Sequence, residues 1–125
     1  MHGCVFCAIV AGQAPATILY EWDDALAIRP RGGVNGGRAL VIPGVHVADA
    51  VEHLEVTVCT VRRAAQYAAE IGDDLNLITS VGPHATQTVF HLHWHIFPRA
   101  KADDLMLPWT PQQAARAAEP SGSTS

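Results

Sequence analysis

The sequence predicts an α+β domain, an antiparallel sheet of about five strands crossed by one long helix and accompanied by a shorter one. Three observations carry this. Short runs rich in β-branched and aromatic residues recur between Gly, Pro and Asp punctuation, as strands do. Between the third and fourth runs the apolar spacing switches to steps of three and four, the period of a helix face. The last run, His91-Leu92-His93-Trp94-His95-Ile96-Phe97-Pro98, alternates imidazoles with large apolar groups, so one face of a strand packs and the other carries chemistry.

In chain order, Thr17-Ile18-Leu19-Tyr20-Glu21 and Ala25 to Ile28 form a hairpin turned by Asp23-Asp24. The segment Arg29 to Arg38 holds four glycines and a proline, a composition for a loop that approaches something closely. Ala39-Leu40-Val41-Ile42 reads as a buried strand ended by Pro43-Gly44. Val51, Leu54, Val58, Val61, Ala65 and Ala68 then mark the buried face of a long helix that Gly72 stops near Ile71. Cys59 lies beside that stripe as a small apolar filler, and His53 is solvated. Leu75 to Ser80 returns as a strand, and Gly82 to Gln87 is the loop leading into the histidine row. Residues 1 to 110 make one domain, and 111 to 125 a short helix opening at Pro111 with a disordered tail.

With 125 residues, 49% of them hydrophobic and 16% charged, the chain has material for a core. A net charge of −4 without a basic run argues against nucleic acid and anionic membranes as partners. No apolar run reaches the roughly 20 residues of a membrane span, and the first residues lack a signal-peptide pattern. A cytoplasmic protein is expected. Three cysteines are too few for a disulfide scaffold and suit a reducing compartment.

Cys4-Val5-Phe6-Cys7 can supply half of a zinc site or a dithiol redox centre. A thioredoxin-like motif expects a strand before it, and only three residues precede Cys4, which disfavours the redox reading. Zinc in a closed site takes four ligands, with His2, His46, His53, His84 and the histidine row as possible partners. Along a strand, neighbouring histidines of the row lie roughly 6.6 Å apart and the outer two roughly 13 Å. One metal with bonds of about 2.0–2.1 Å therefore cannot take all three, and at least one imidazole is left for other work.

The pattern His-hydrophobic-His-hydrophobic-His followed by two hydrophobics resembles the histidine triad (HIT) family of nucleotidyl hydrolases and transferases. The resemblance extends to Gln87-Thr88-Val89-Phe90, Pro98-Arg99, the segment Cys4 to Gly12, and Leu40-Val41-Ile42-Pro43 through His46, covering roughly residues 4 to 100. It implies a HIT-like fold, a homodimer with a continuous sheet, and a structural zinc held by Cys4, Cys7, His46 and His91. It further implies that His93 is the nucleophile and that His95 binds phosphate and protonates the leaving group. His91 would complete the catalytic set, and Gln87 and Thr88 would hold phosphate oxygens. Phe6, Ile9 and Ile28 stand where the family lines its nucleobase pocket, although plain core is the other reading of all three.

The chain departs from the pattern at three positions. Pro30 replaces an Asp that holds ribose hydroxyls, Arg38 replaces a His beside the catalytic strand, and Ser80 replaces an Asn that contacts phosphate. Arg38 and Ser80 can still serve substrate binding, through a guanidinium fork and a single hydroxyl donor. The resemblance thus implies hydrolysis of a nucleoside phosphoramidate or a related P–N or P–O bond through a nucleotidyl-histidine intermediate, with a nucleotide or phosphate ester as the small-molecule partner. Two other readings remain: a transferase or specialised-metabolism enzyme with a non-standard substrate, and a zinc-stabilised binding protein without turnover. Trp109 is either packed or, as in some HIT proteins, near the partner subunit's site.

Overall fold

The computed structural model describes residues 3–30, 39–72, 74–103, 105–111 and 115. Five strands, β1 (Ile18–Glu21), β2 (Ala25–Ile28), β3 (Ala39–Pro43), β4 (Leu75–Ile78) and β5 (Trp94–Pro98), form one antiparallel sheet in the order β1-β2-β3-β5-β4. β3 lies in the middle, which is why all five of its residues are buried. Alternation sends its side chains to two different cores. Ala39 and Val41 join Ala25, Ala27 and Ile96 beneath the long helix α2 (Leu54–Ile71), while Leu40 and Ile42 join Ile28 beneath the short helix α1 (Val5–Val10).

The core under α2 is built from small residues on both sides. Ala64 of the helix meets Ala25, Ala27 and Ala39 of the sheet, and small groups at such a contact let the helix axis approach closely. The stripe expected to be buried coincides with this contact at Ala68 and departs from it toward the N-terminal end. Thr60, Ala64 and Ala68 face inward, whereas Val51, Leu54 and Val58 are 65%, 68% and 52% exposed. The periodicity located the helix, but the apolar stripe follows a face that the single chain leaves uncovered.

The ends of α2 are capped by side chain and backbone. His53, expected to be merely solvated, is the N-cap, its Nδ1 accepting from the Val56 N–H at 3.4 Å. Gly72 closes the helix as anticipated, with φ 77°, a left-handed conformation that glycine adopts without steric cost. At the other end of the chain, the Cys4–Cys7 segment forms the first turn of α1, a helix that the sequence reading does not include. Cys4 caps it by accepting from the Cys7 N–H at 3.3 Å, a task usually given to an oxygen. The C-terminal helix expected from Pro111 falls almost wholly outside the described residues, as do the tail and most of the Arg29 to Arg38 loop.

The histidine row also differs from a continuous strand. Ladder pairing on β5 begins at Trp94, where Trp94 faces Val41 and His95 faces Leu40, so of the three only His95 lies in regular sheet. His91 and His93 precede it in a segment held by isolated bonds, among them Leu92 N–H to the Val47 carbonyl at 2.8 Å.

Candidate functional site

The site lies where the α1 face of the sheet meets this unpaired segment. His91 is fully buried, a placement an imidazole accepts only if its polar atoms are partnered. Its Nε2 lies 3.0 Å from the Pro43 carbonyl, which can only accept, so Nε2 carries the proton. Burial, the largest influence, pulls its pKa down, opposed by that bond and aided by His46 and His93. The ring is therefore neutral, and Nδ1 presents a bare lone pair.

That lone pair points at three other donor atoms. Nδ1 of His91 is 3.4 Å from Cys4 Sγ, 3.5 Å from Cys7 Sγ and 3.2 Å from Nδ1 of His46, with Cys7 Sγ 3.2 Å from Nδ1 of His46. All four donor atoms lie within 4.8 Å of one another. Zinc bonds of about 2.0–2.3 Å in a tetrahedron place their ligand atoms roughly 3.3–3.8 Å apart, and the four measured spacings fall at or near that range. The donor set is the soft-and-borderline Cys2His2 combination zinc prefers, and the Pro43 carbonyl orients one imidazole as an outer partner does in such sites. The Cys7 thiol is pushed up, first by burial and then by Cys4, so two thiols crowded here gain from a cation that would deprotonate them.

Two residues on, Nδ1 of His93 lies 2.8 Å from the His91 carbonyl and must be the protonated nitrogen, leaving Nε2 with a free lone pair. Its ring stands 5.0 Å from that of His95, which stacks on Phe97 at 5.4 Å with 10° between planes. Burial lowers both pKa values. His93 goes down against the opposing bond to His91, and His95 is pushed down to about 4, with His93 contributing after burial. Both imidazoles are neutral near pH 7.

Phe6 connects this pair to a cavity of about 670 Å³, a volume in the range of small-molecule sites. Its ring meets those of His91 and His93 edge-on at 5.8 and 5.2 Å, and it lines the cavity with Ile9, Ile28, Leu40, Val89 and Pro30. Phe6, Ile9 and Ile28 are thus both core residues and cavity wall, so the two readings of them are compatible.

Thr88 is exposed and Ser80 half-buried on the approaches to the row. Gln87, expected to hold phosphate oxygens, is bonded to backbone groups in the structure. Its carboxamide is buried and spent on backbone, Oε1 accepting from Gly82 N–H at 2.8 Å and Nε2 donating to the Ala48 and Val89 carbonyls at 2.7 and 3.1 Å. These bonds tie the loop that carries Thr88 to Gly82 and Ala48. Arg38 lies outside the described residues, and Trp109 is 52% exposed instead of packed. Arg99, quoted only as a flank of the row, anchors the chain beyond β5 through Asp103 at 2.8 Å, Asn76 at 2.6 Å and the Leu105 carbonyl at 2.8 Å.

Fold and side chains together define an α+β protein with a row of neutral imidazoles beside a Cys2His2 donor set. The chain belongs to the HIT family: the model of the HIT domain matches residues 11–102. An uncharacterized HIT-like protein of Mycobacterium tuberculosis is 38% identical over 108 residues, covering 82% of this chain and 75% of that one. An adenosine 5′-monophosphoramidase of Schizosaccharomyces pombe is 33% identical over 98 residues (77% and 74%), and an adenylylsulfatase of Arabidopsis thaliana 34% over 110 residues (83% and 56%). Among solved structures, a zinc-bound histidine triad family protein from Mycobacterium smegmatis superposes with a TM-score of 0.74 at 37% identity, covering 84% of this chain and 81% of that chain.

The His95 shift fixes one pH dependence of stability. The unfolded chain takes up a proton near 6.5 and the folded chain only near 4, so unfolding binds a proton between those values. This contribution is complete above pH 6.5 and is lost as pH falls toward 4. In urea unfolding at pH 7 and pH 5, His95→Gln is expected to lose less stability on acidification than the unsubstituted protein; equal losses would contradict the assignment.

Proposed function

We propose that the chain is a nucleotide hydrolase that cleaves a nucleoside phosphoramidate or a related P–N or P–O bond through a covalent intermediate on His93. One observation carries the reading: the His93 Nδ1–H is committed to the His91 carbonyl, which leaves Nε2 as a nucleophile beside His95 and next to an apolar cavity of about 670 Å³. Nε2 forms a bond to phosphorus as the bond to the leaving amine breaks, and His95, which takes up a proton when the anionic substrate binds beside it, passes that proton to the amine. Water then attacks the adduct, its hydroxide going to phosphorus as the phosphorus–Nε2 bond breaks and its proton going to His95. Thr88 and Ser80 hold phosphate oxygens, and the base lies against Phe6, Ile9 and Ile28. The relatives named for phosphoramidate and adenylyl sulfate cleavage support a bond from an adenylyl phosphorus to nitrogen or oxygen.

Purified protein given adenosine 5′-phosphoramidate should release AMP and carry an AMP adduct on His93 by mass spectrometry. His93→Ala should abolish adduct and turnover, and His95→Ala should slow turnover by about 10²–10⁴-fold. Full activity of His93→Ala would end this reading. A second one, with a substrate other than an ordinary nucleotide, is favoured by Pro30 on the cavity wall, whose side chain offers nothing to ribose hydroxyls. No AMP but turnover of another phosphoester would select it.

Cys4, Cys7, His46 and His91 would hold one structural zinc, supported by the spacing of the donors and by the zinc-bound relative. The ion would supply charge neutralisation for two thiolates and fix the segment that carries His93. Metal analysis should find one zinc per chain. Chelation should lower the Tm by roughly 10 °C or more, equivalent to a few kcal/mol for a domain of this size, and an unchanged Tm would remove the site.

The exposed Val51, Leu54 and Val58 face and the open edge of β4 support a homodimer, because a soluble chain seldom leaves such a stripe bare. Leu54→Glu should shift sedimentation from dimer to monomer; a monomeric unsubstituted protein would refute the pairing. Among the described residues no helix is long and apolar enough to cross a membrane, and three free cysteines fit a cytoplasmic location.

A further inference from the structure

Outside the histidine row, the donor cluster and the cavity, one hydroxyl occupies a position that packing alone does not explain. β4 and β5 are paired from Leu75 with Pro98 to Ile78 with His95, and there the ladder ends. Immediately beyond, the Thr79 Oγ1–H donates to the His93 carbonyl at 2.7 Å. A side-chain donor thus takes the place of a backbone rung at the residue whose imidazole is the nucleophile.

His93 is consequently held twice. Its ring donates to the His91 carbonyl at 2.8 Å, and its own carbonyl accepts from Thr79. Its neighbours are fixed from elsewhere, Leu92 by the Val47 carbonyl and the His91 ring by the Pro43 carbonyl, so among the described residues Thr79 supplies the side-chain bond that ties residue 93 itself to the sheet. Without that hydroxyl the His93 carbonyl would turn toward water, and its Cα and ring would move with it. Displacement of a reacting group by about 1 Å can cost roughly 10²-fold in rate.

We propose that Thr79 is a positioning residue for the nucleophile: its hydroxyl, bonded to the His93 carbonyl, holds the imidazole with Nδ1–H on His91 and Nε2 toward the phosphorus. This rests on the hydrolase reading above for its catalytic consequence, but not for its geometry. Thr79 touches no substrate in this assignment. It also precedes Ser80, so the same bond links the strand end that carries a phosphate-side hydroxyl to the segment that carries the nucleophile.

Thr79→Val keeps the shape and removes the donor, whereas Thr79→Ser keeps the donor and removes a methyl. In single-turnover reactions with adenosine 5′-phosphoramidate, Thr79→Val should form the His93 adduct about 10- to 100-fold more slowly, with AMP affinity within about threefold of the unsubstituted protein. Thr79→Ser should restore the rate to within about threefold. A Val variant within about twofold of the original rate, a Ser variant as slow as Val, or a loss of AMP affinity equal to the loss of rate would each overturn the proposal.

A second readout separates this inference from the hydrolase reading. The His93 Nδ1–H bonded to a carbonyl should give a slowly exchanging low-field proton signal, present in the unsubstituted and Ser proteins and lost in Thr79→Val. If no phosphoramidate reacts with the unsubstituted protein, the hydrolase reading fails by itself while this pattern still supports the positioning role. Persistence of the signal in Thr79→Val would overturn it.

Discussion

The buried ring of His91 is the constraint on which the rest of the site depends. A fully buried imidazole must satisfy two nitrogens, and the Pro43 carbonyl takes Nε2–H. That choice leaves Nδ1 bare, and the chain answers it with two thiols and a second imidazole drawn from α1 and from the segment after β3. The His91 carbonyl in turn receives the Nδ1–H of His93, which selects the tautomer of the next ring. One buried side chain therefore orients a donor cluster on one side and sets the tautomer of the His93 imidazole on the other.

The sheet supplies the frame for this arrangement. β3 is buried on both faces, so a single central strand separates a core under α2 from the cavity beneath α1. Alanines at Ala25, Ala27, Ala39 and Ala64 bring α2 close to one face. On the other, Ile28, Leu40 and Phe6 form an apolar wall that ends at the histidine rings. The same burial that shapes the cavity lowers the pKa values of His93 and His95, keeping both imidazoles neutral near pH 7.

Much of this was legible residue by residue. Strands at Ala25 to Ile28 and Ala39 to Ile42, the Gly72 stop and the grouping of Cys4 and Cys7 with His46 and His91 follow from local pattern and family resemblance, and the structure places them accordingly. The inward face of α2 was not legible. Apart from Ala68, which faces inward as its spacing predicts, Val51, Leu54 and Val58 form the stronger apolar stripe, yet the sheet meets Thr60 and Ala64, because small side chains fit a close helix contact and bulky ones do not. The α1 cap was equally hidden, since a thiol acting as N-cap has no sequence signature.

The sequence by itself determined which groups are present and in what periodicity: three imidazoles in alternation, two thiols at helical spacing, and strands whose apolar residues alternate. Those properties are local, set by the two-residue repeat of a strand and the turn of a helix. Only the tertiary structure decided what each polar atom meets. It brought the Gln87 carboxamide to the Ala48 carbonyl and ended the β4–β5 ladder so that Thr79 bonds the His93 carbonyl. A hydrogen bond between residues far apart in sequence depends on register and approach distance, which no local pattern encodes.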